Sequence, residues 1–368
     1  MAIKLNENFV KLAETQGNLT IYEQFADYFV HFMDETQGKK LGVYDREVSL
    51  AEKDMQMLSA FKEEVQRLSQ VDISDIKNKP NLVVNPMVSW ASMSVVSNMV
   101  DAVLPLTVVQ STGLYTDTKI VGYGQTAQFD VEPNSLFTVS QGGNAQRVSF
   151  IQKQFKNTIT INPVNHALTV QVSMYKVLCG LESLGEFVRK AVISMETAMT
   201  VDAYNALTEG LKASTFPKEL TITGYTREGL LALCQRVQAY NQGAKPVIVG
   251  TAVALSNILP NGDDGYRIVT EGDNMSIQLI KNFYGFDVLV LPQVAVGDAE
   301  YNLLLNDKEI YVLSTGTDKL IKGVLEGSTV TNTNDFYDTA NLMSNATLNK
   351  RWQFEVITNA VAGICKLS

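Results

Sequence analysis

The stretch "LTVQVSMYKVLCGLESLGEFVRKAVISMETAMTVDAYNALTEG", Leu168 to Gly210, decides the fold. Its opening alternates, so that Leu168, Val170, Val172 and Met174 fall on one face of a strand. The period then changes. Ser183 with Glu186 three residues later is a capping-box pattern, which satisfies two of the amides a helix leaves unpaired at its start. Phe187, Ala191, Met195, Ala198 and Ala206 run along the predicted helix, and Gly210 can close it. From Leu184 to Leu211 the helix would be about 42 Å long, well beyond the usual three to four turns.

The segment before this strand, 111–166, has a different character. It is rich in Gly, Gln, Asn, Ser and Thr. "RVSF" and "TITI" alternate as strands do, and "VEPNSL" and "SQGGNAQ" are turn signals. Between Glu132 and Glu182 there is no acidic residue, while Arg147, Lys153, Lys156 and Lys176 remain, so this stretch is basic inside a chain of net charge −9. Two limbs of about 20 residues would extend about 65 Å as strands. An isolated hairpin is marginal in water. The expectation is therefore an arm that lies on another copy of the chain, its positive charge meeting that copy's acidic surface. Such a head-to-tail contact builds rings or shells.

Within the segment, "TKIVGYGQTAQFD" (118–130) carries Gly122, Gly124 and Ala127 at G-x-G-x-x-A spacing. A dinucleotide site needs a helix that begins at the motif and an acidic residue about 20 positions on. Here Pro133 and an alternating pattern follow, and the acid would fall in the acid-free stretch. The glycines are expected to let a β arm bend or approach another backbone closely. An oxidoreductase built on Gly122 and Gly124 is the reading from another functional class, and cofactor binding would decide it.

Other chemistry is sparse. His166 has no acidic neighbour in sequence and reads as structural, and Ser173 and Ser194 sit in no nucleophile elbow. The acidic loop 261–274 lacks the spacing of a calcium loop. Cys179, Cys234 and Cys365 form no C-x-x-C, and two histidines exclude a His-rich metal site. The acidic balance argues against a nucleic-acid reader. "MAIKLNENFV" lacks a basic-then-apolar opening, and the window from Asn81 to Leu106 is too polar for a bilayer span. A soluble cytoplasmic protein is expected.

Further out, residues 1–80 read as charge-rich helices. Ser49 and Glu52 cap one of them, with Leu58, Phe61, Val65 and Leu68 on one face and Glu63, Glu64 and Arg67 on the other; it could be a packed helix or a partner-binding arm. A buried helix follows Asn85 and Pro86, carries Met87, Ala91, Val95, Met99 and Val103, and is stopped by Pro105. Beyond 212 come a helix capped by Thr226 and the strand "KPVIVG". Short helices "TAVALSNIL" and "NMSIQLIKNFYG" follow, then strands "FDVLVLP", "YNLLLN", "EIYVLST" and "RWQFEVITNAVAGICKL". Helices come first and strands accumulate later, which is α+β.

This order of parts resembles the major capsid protein of tailed bacteriophages, a fold shared with encapsulin shells and the herpesvirus capsid floor. "LTVQVSMYKVLCGLESLGEFVRKAVISMETAMTVDAYNALTEG" looks like its strand and spine helix, and "KPVIVGTAVALSNIL" and "YGFDVLVLPQV" are similar to its axial-domain patterns. The resemblance implies an N-terminal arm with helices over 1–110, an extended loop over 111–166, and a peripheral domain with the spine helix over 167–224. An axial domain over 225–345 and a return strand over 346–368 complete it. It implies a shell subunit enclosing DNA, or an encapsulin-like compartment, with no catalysis and no cofactor or metal. Pentamers and hexamers of itself are the expected partners, with scaffold, portal or decoration proteins, nearby DNA and no membrane. The place would be the virion capsid, assembled in the host cytoplasm. Extended-loop contacts between subunits are expected at Lys119, Tyr123, Phe129, Arg147, Lys153 and Lys156.

Overall fold

The computed structural model describes residues 20–38, 41–83, 85–112, 116–131, 139, 152–153, 156–212, 218–258, 282–295, 302–314, 319–333, 344–357 and 360–367. Three α-helices open the described chain, α1 (Thr20–Gln37), α2 (Leu50–Ser69) and α3 (Pro86–Thr112), with a 3-10 turn at Pro80–Leu82 before the third. The capping box of α2 forms as its sequence predicts, with Ser49 accepting from Glu52 N and the Glu52 carboxylate accepting from Ser49 N. These helices do not stand off as an arm from Thr20 onward. Phe25, Phe29, Met33, Met57, Phe61 and Val65 are all buried in the main core. Glu64, read as solvent-facing, is 1 % exposed and is held by both Nε and an Nη of Arg67 at 2.8 and 2.6 Å.

Pro105 does not stop α3, which runs on to Thr112. A helix buried on nearly all sides is held by packing, and that outweighs one lost backbone bond. Ala91, Val95, Val96, Met99, Val100, Ala102, Val103 and Leu104 are each at most 2 % exposed, whereas Met87 is exposed. Pro86–Pro105 is long and apolar enough to cross a membrane, yet 72 % of it is buried inside the protein, as in a core helix.

Strands β1 (Thr116–Val121), β2 (Ala127–Val131), β3 (Asn157–Ile161) and β4 (Val164–Val172) follow, then a short helix α4 (Met174–Leu178) and the long α5 (Leu184–Lys212). The remainder comprises β5 (Thr221–Thr223), α6 (Arg227–Tyr240), β6 (Pro246–Gly250), α7 (Ala252–Ser256), β7 (Asn282–Phe283), β8 (Phe286–Val290), β9 (Glu309–Ser314), β10 (Ile321–Glu326), β11 (Val330–Thr333), β12 (Ser344–Val356) and β13 (Gly363–Lys366). The Thr226 and Thr251 side chains accept from Gly229 N and Ala254 N at the starts of α6 and α7, as their N-cap positions require.

Several expectations are corrected here. "YNLLLN" contributes one isolated bridge, Leu303 to Ala295, not a strand. Asn282–Phe283 is strand where a helix was expected, and residues 274–281, like the acidic loop 261–274, lie outside the described residues. "RWQFEVITNAVAGICKL" is two strands in two different sheets, not one return strand. The strands β10 and β11 went unread.

Two body sheets result. In the five-stranded one β12 is central. β4 runs antiparallel along one side of it, and β10 and then β11 pair with the other side. β1 closes the edge, parallel to β10. The second sheet has the order β5-β13-β9-β6-β8-β7. Helix α5 spans 29 residues, about 44 Å. Leu184, Val188, Val192, Met195, Met199, Ala203, Leu207 and Leu211 form its buried stripe, and Ala198 faces out. Gly210 lies inside α5 and does not close it. A Cβ there would sit 2.6 Å from Val356 Cγ2, so this glycine lets β12 approach the helix. A second core lies between α6 (Leu230, Leu233, Cys234, Val237) and one face of the six-stranded sheet (Ile248, Ile310, Val312, Cys365).

Candidate assembly site

β1 belongs to the body, so the arm begins after it. At Gly122–Gln125 the chain turns, with Gln125 N donating to Gly122 O at 3.1 Å. Gly124 has φ +73°, a left-handed backbone that favours glycine. Its N–H donates to Glu326 Oε1 at 2.9 Å. Glu326 is 1 % exposed, and Arg351 Nη1 donates to the same oxygen at 2.9 Å. Arg351 Nη2 donates to Pro163 O at 2.8 Å. One ion pair thus grips the chain on both sides of the arm, at Gly124 going out and at Pro163 coming back. This disposes of the cofactor reading. The Gly124 amide meets a carboxylate that would repel a pyrophosphate, and the residues after it form β2 where a helix would be needed.

Among the described residues β2 and β3 pair only with each other, Ala127 opposite Ile161 and Val131 opposite Asn157. Ala127, Phe129 and Val131 point inward and pack with Ile161 on Val324 and Ile357 of the body. The Phe129 ring has Lys119 Nζ 4.5 Å and Lys322 Nζ 5.8 Å from its centroid. Lys119 Nζ also donates to Gln128 O at 2.6 Å. Asp130 pairs with Lys156 at 2.8 Å and accepts from Thr158 Oγ1 at 2.7 Å. The Lys156 hydrogen bond first, then that of Thr158, holds the Asp130 carboxyl below its ordinary value.

Of the six residues expected at subunit contacts, Phe129 is corrected: it is 2 % exposed and fixes the arm to its own body. Lys119 serves the same root. Tyr123, at 65 % exposure, and Lys153 and Lys156 face solvent, while Arg147 lies outside the described residues. Glu326 and Arg351 were missed. An acid and a base on two strands, distant in sequence from the turn they bind, leave no local signal.

His166 gains the acidic partner its sequence neighbours lack. Its ring stacks on Trp352 at 3.8 Å and 6°, with Nε2 3.4 Å from Asp202 Oδ2 of α5. All three cysteines are free and buried. Burial pushes the Cys234 thiol up to about 12 and raises Cys365, so neither offers a thiolate at neutral pH.

A family model described as "SPbeta prophage-derived putative capsid protein YonB" matches residues 33–366. The chain belongs to the YonB family. Similar solved structures include the capsid of a native GTA particle, at 12 % identity and TM-score 0.49 over 71 % of this chain and 90 % of that one. The mature capsid of bacteriophage PhiM1 gives 11 % and 0.44 over 69 % and 86 %, and the head of Helicobacter pylori bacteriophage KHP40 gives 9 % and 0.46 over 69 % and 87 %. No curated protein matches. Membership of the YonB family makes the chain a capsid shell subunit, and the mixed α+β architecture with a separate hairpin, a long helix and a second sheet is the one it adopts.

Proposed function

We propose that the chain assembles with copies of itself into an icosahedral or related viral shell around DNA, working by assembly and not by turnover. The observation that supports this best is the β2–β3 hairpin. Among the described residues it joins neither body sheet, yet its root is clamped by Glu326 and Arg351 and packed through Phe129. We read this fixed root as the base of an element that reaches a neighbour, and a head-to-tail contact of this kind propagates.

In this reading Tyr123, Arg147, Lys153 and Lys156 meet the adjacent subunit, whose acidic balance complements the arm. The unit around α5 and the five-stranded sheet serves as the peripheral domain. The six-stranded sheet serves as the axial domain that meets its copies around five- and six-fold axes. Scaffold, portal or decoration proteins are further partners, and assembly takes place in the host cytoplasm. Negative charge on a wall beside DNA keeps the genome from adhering.

Negative-stain microscopy of the purified protein tests the proposal. Closed shells, pentamers or hexamers are expected, and nuclease-protected DNA in shells recovered from the producing cell. Protein cargo in place of DNA would give the compartment reading, and a monomer that never assembles at high concentration would overturn both.

A further inference from the structure

β4 (Val164–Val172) is the longest edge that either body sheet leaves open among the described residues. It pairs with β12 on one side in an unbroken register, from Val164 opposite Trp352 to Val172 opposite Ser344, with no bulge. An open edge is a template for another strand, and proteins commonly guard it with shortness, charge, proline or a bulge. The other edges are guarded in this way. β5 has three residues, β7 two and β11 four, and β1 carries Asp117 and Lys119. β4 has nine residues, none of them Pro, Lys, Arg, Asp or Glu.

Its side chains show an unfinished sheet. Leu168 and Val170 are only half-buried against the main core, and Val164 is 53 % exposed. On the opposite face Asn165, Ala167 and Thr169 are exposed. The one titratable side chain, His166, is turned to Trp352 and Asp202 of its own chain. The edge therefore selects no partner by charge, and it offers its own copy no like charge to repel. The strand also reads alike in both directions. Antiparallel pairing of V-N-H-A-L-T-V-Q-V with itself about Leu168 sets Val164 opposite Val172, Asn165 opposite Gln171 and Ala167 opposite Thr169. A two-fold contact demands such self-complementarity, because the same patch serves on both copies.

We propose that β4 pairs antiparallel with β4 of a second copy, centred on Leu168, and joins two five-stranded sheets into one. The shared ladder is about 30 Å long, and it continues the sheet over the half-covered Leu168 and Val170. This contact is closed, since it uses the same edge on both copies and extends no further. It rests on the reading that the chain assembles, and it adds to the arm a second kind of contact. The arm propagates head to tail within a ring of subunits, whereas β4 joins two copies across a two-fold axis and so fastens one ring to the next.

Charge placed on the exposed row tests this in the full-length chain, with sedimentation and microscopy as readouts. Ala167→Lys with Thr169→Lys sets like charges opposite each other at both 167–169 pairs, and should weaken association of copies about tenfold or more. Ala167→Glu with Thr169→Glu should do the same, which excludes net charge as the cause. Ala167→Lys with Thr169→Glu sets opposite charges face to face and should restore association. Every variant loses the 3.0 Å contact of Thr169 Oγ1 with Thr347 Oγ1, so that loss cancels in the comparison. In the unaltered chain, hydrogen exchange of the β4 amides that point away from β12 should slow when copies associate, a measurement that needs no variant to fold. A mixed pair no better than the like-charge pairs, or β4 exchange unchanged by association, would overturn the pairing. Normal shells from the like-charge variants would overturn it too and leave the shell reading standing, whereas an unaltered chain that never associates would sink both.

Discussion

Lys350 is completely buried, and its ammonium reaches Asp101 Oδ1 at 2.5 Å. Thr329 shares that carboxylate through its N–H at 2.7 Å and its hydroxyl, and Ser97 donates to Thr329 O at 2.8 Å. The cluster joins α3 to β12 and to the start of β11. Removing one member leaves the other charge buried without a counterion, so Lys350→Met should cost about 3–5 kcal/mol. Adding Asp101→Leu should recover much of it, since a well-packed apolar pair can replace a buried ion pair at little loss. Urea unfolding of both variants measures this, and a double variant no more stable than the single one would refute the pairing argument. None of it was legible beforehand. Asp101 read only as a residue that made its window too polar for a bilayer, and its partner is 249 positions away. Gly210 was visible but misread, because a glycine that ends a helix and one that admits a neighbouring valine look alike in sequence. The missing neighbour was Val356.

Among elements, α5 was the most legible. A capping residue and a repeat of three and four are local properties, and the helix fell within a residue of its expected ends. Strands β10 and β11 were the least. Lys322, Gly323 and Glu326 interrupt the apolar pattern of β10, yet every residue of that strand is buried. Lys322 meets Asp117, and Glu326 meets Arg351 and the Gly124 amide, so tertiary partners make its charges tolerable. The hairpin was expected as one arm over 111–166. Its first strand proved to be body, because β1 finds an edge beside β10. If the Glu326–Arg351 pair sets the hairpin root, Glu326→Ala should strand the Gly124 amide and one guanidinium face. The loss should be about 1–3 kcal/mol, moderated because Arg351 is partly solvated. Hydrogen exchange should then quicken in β2 and β3 before it quickens in α5; uniform quickening would mean that the pair stabilises the whole body instead.

At the scale of the molecule, the hairpin can be tested by shortening it where its register allows. Val131 pairs with Asn157, so a two-residue Asn-Gly turn joining them closes the ladder without residues 132–156. The shortened chain should keep its helix content by circular dichroism and its hairpin-root packing, yet form no shells by microscopy. Shells of normal size from this variant would show that the distal arm is dispensable. A deletion starting at 118 would instead remove most of β1 and confuse folding with assembly. The placing of β12 and β13 bears on when a subunit becomes competent. β4, β10 and β11 all pair with β12, and β5 and β9 both pair with β13. The five-stranded sheet is not whole until translation has passed residue 356, nor the six-stranded one until it has passed residue 366, and the ion pair that holds the arm needs Arg351. A growing chain on the ribosome therefore lacks both finished sheets, and on the proposed reading it offers its neighbours on a polysome no complete assembly surface until this region is made.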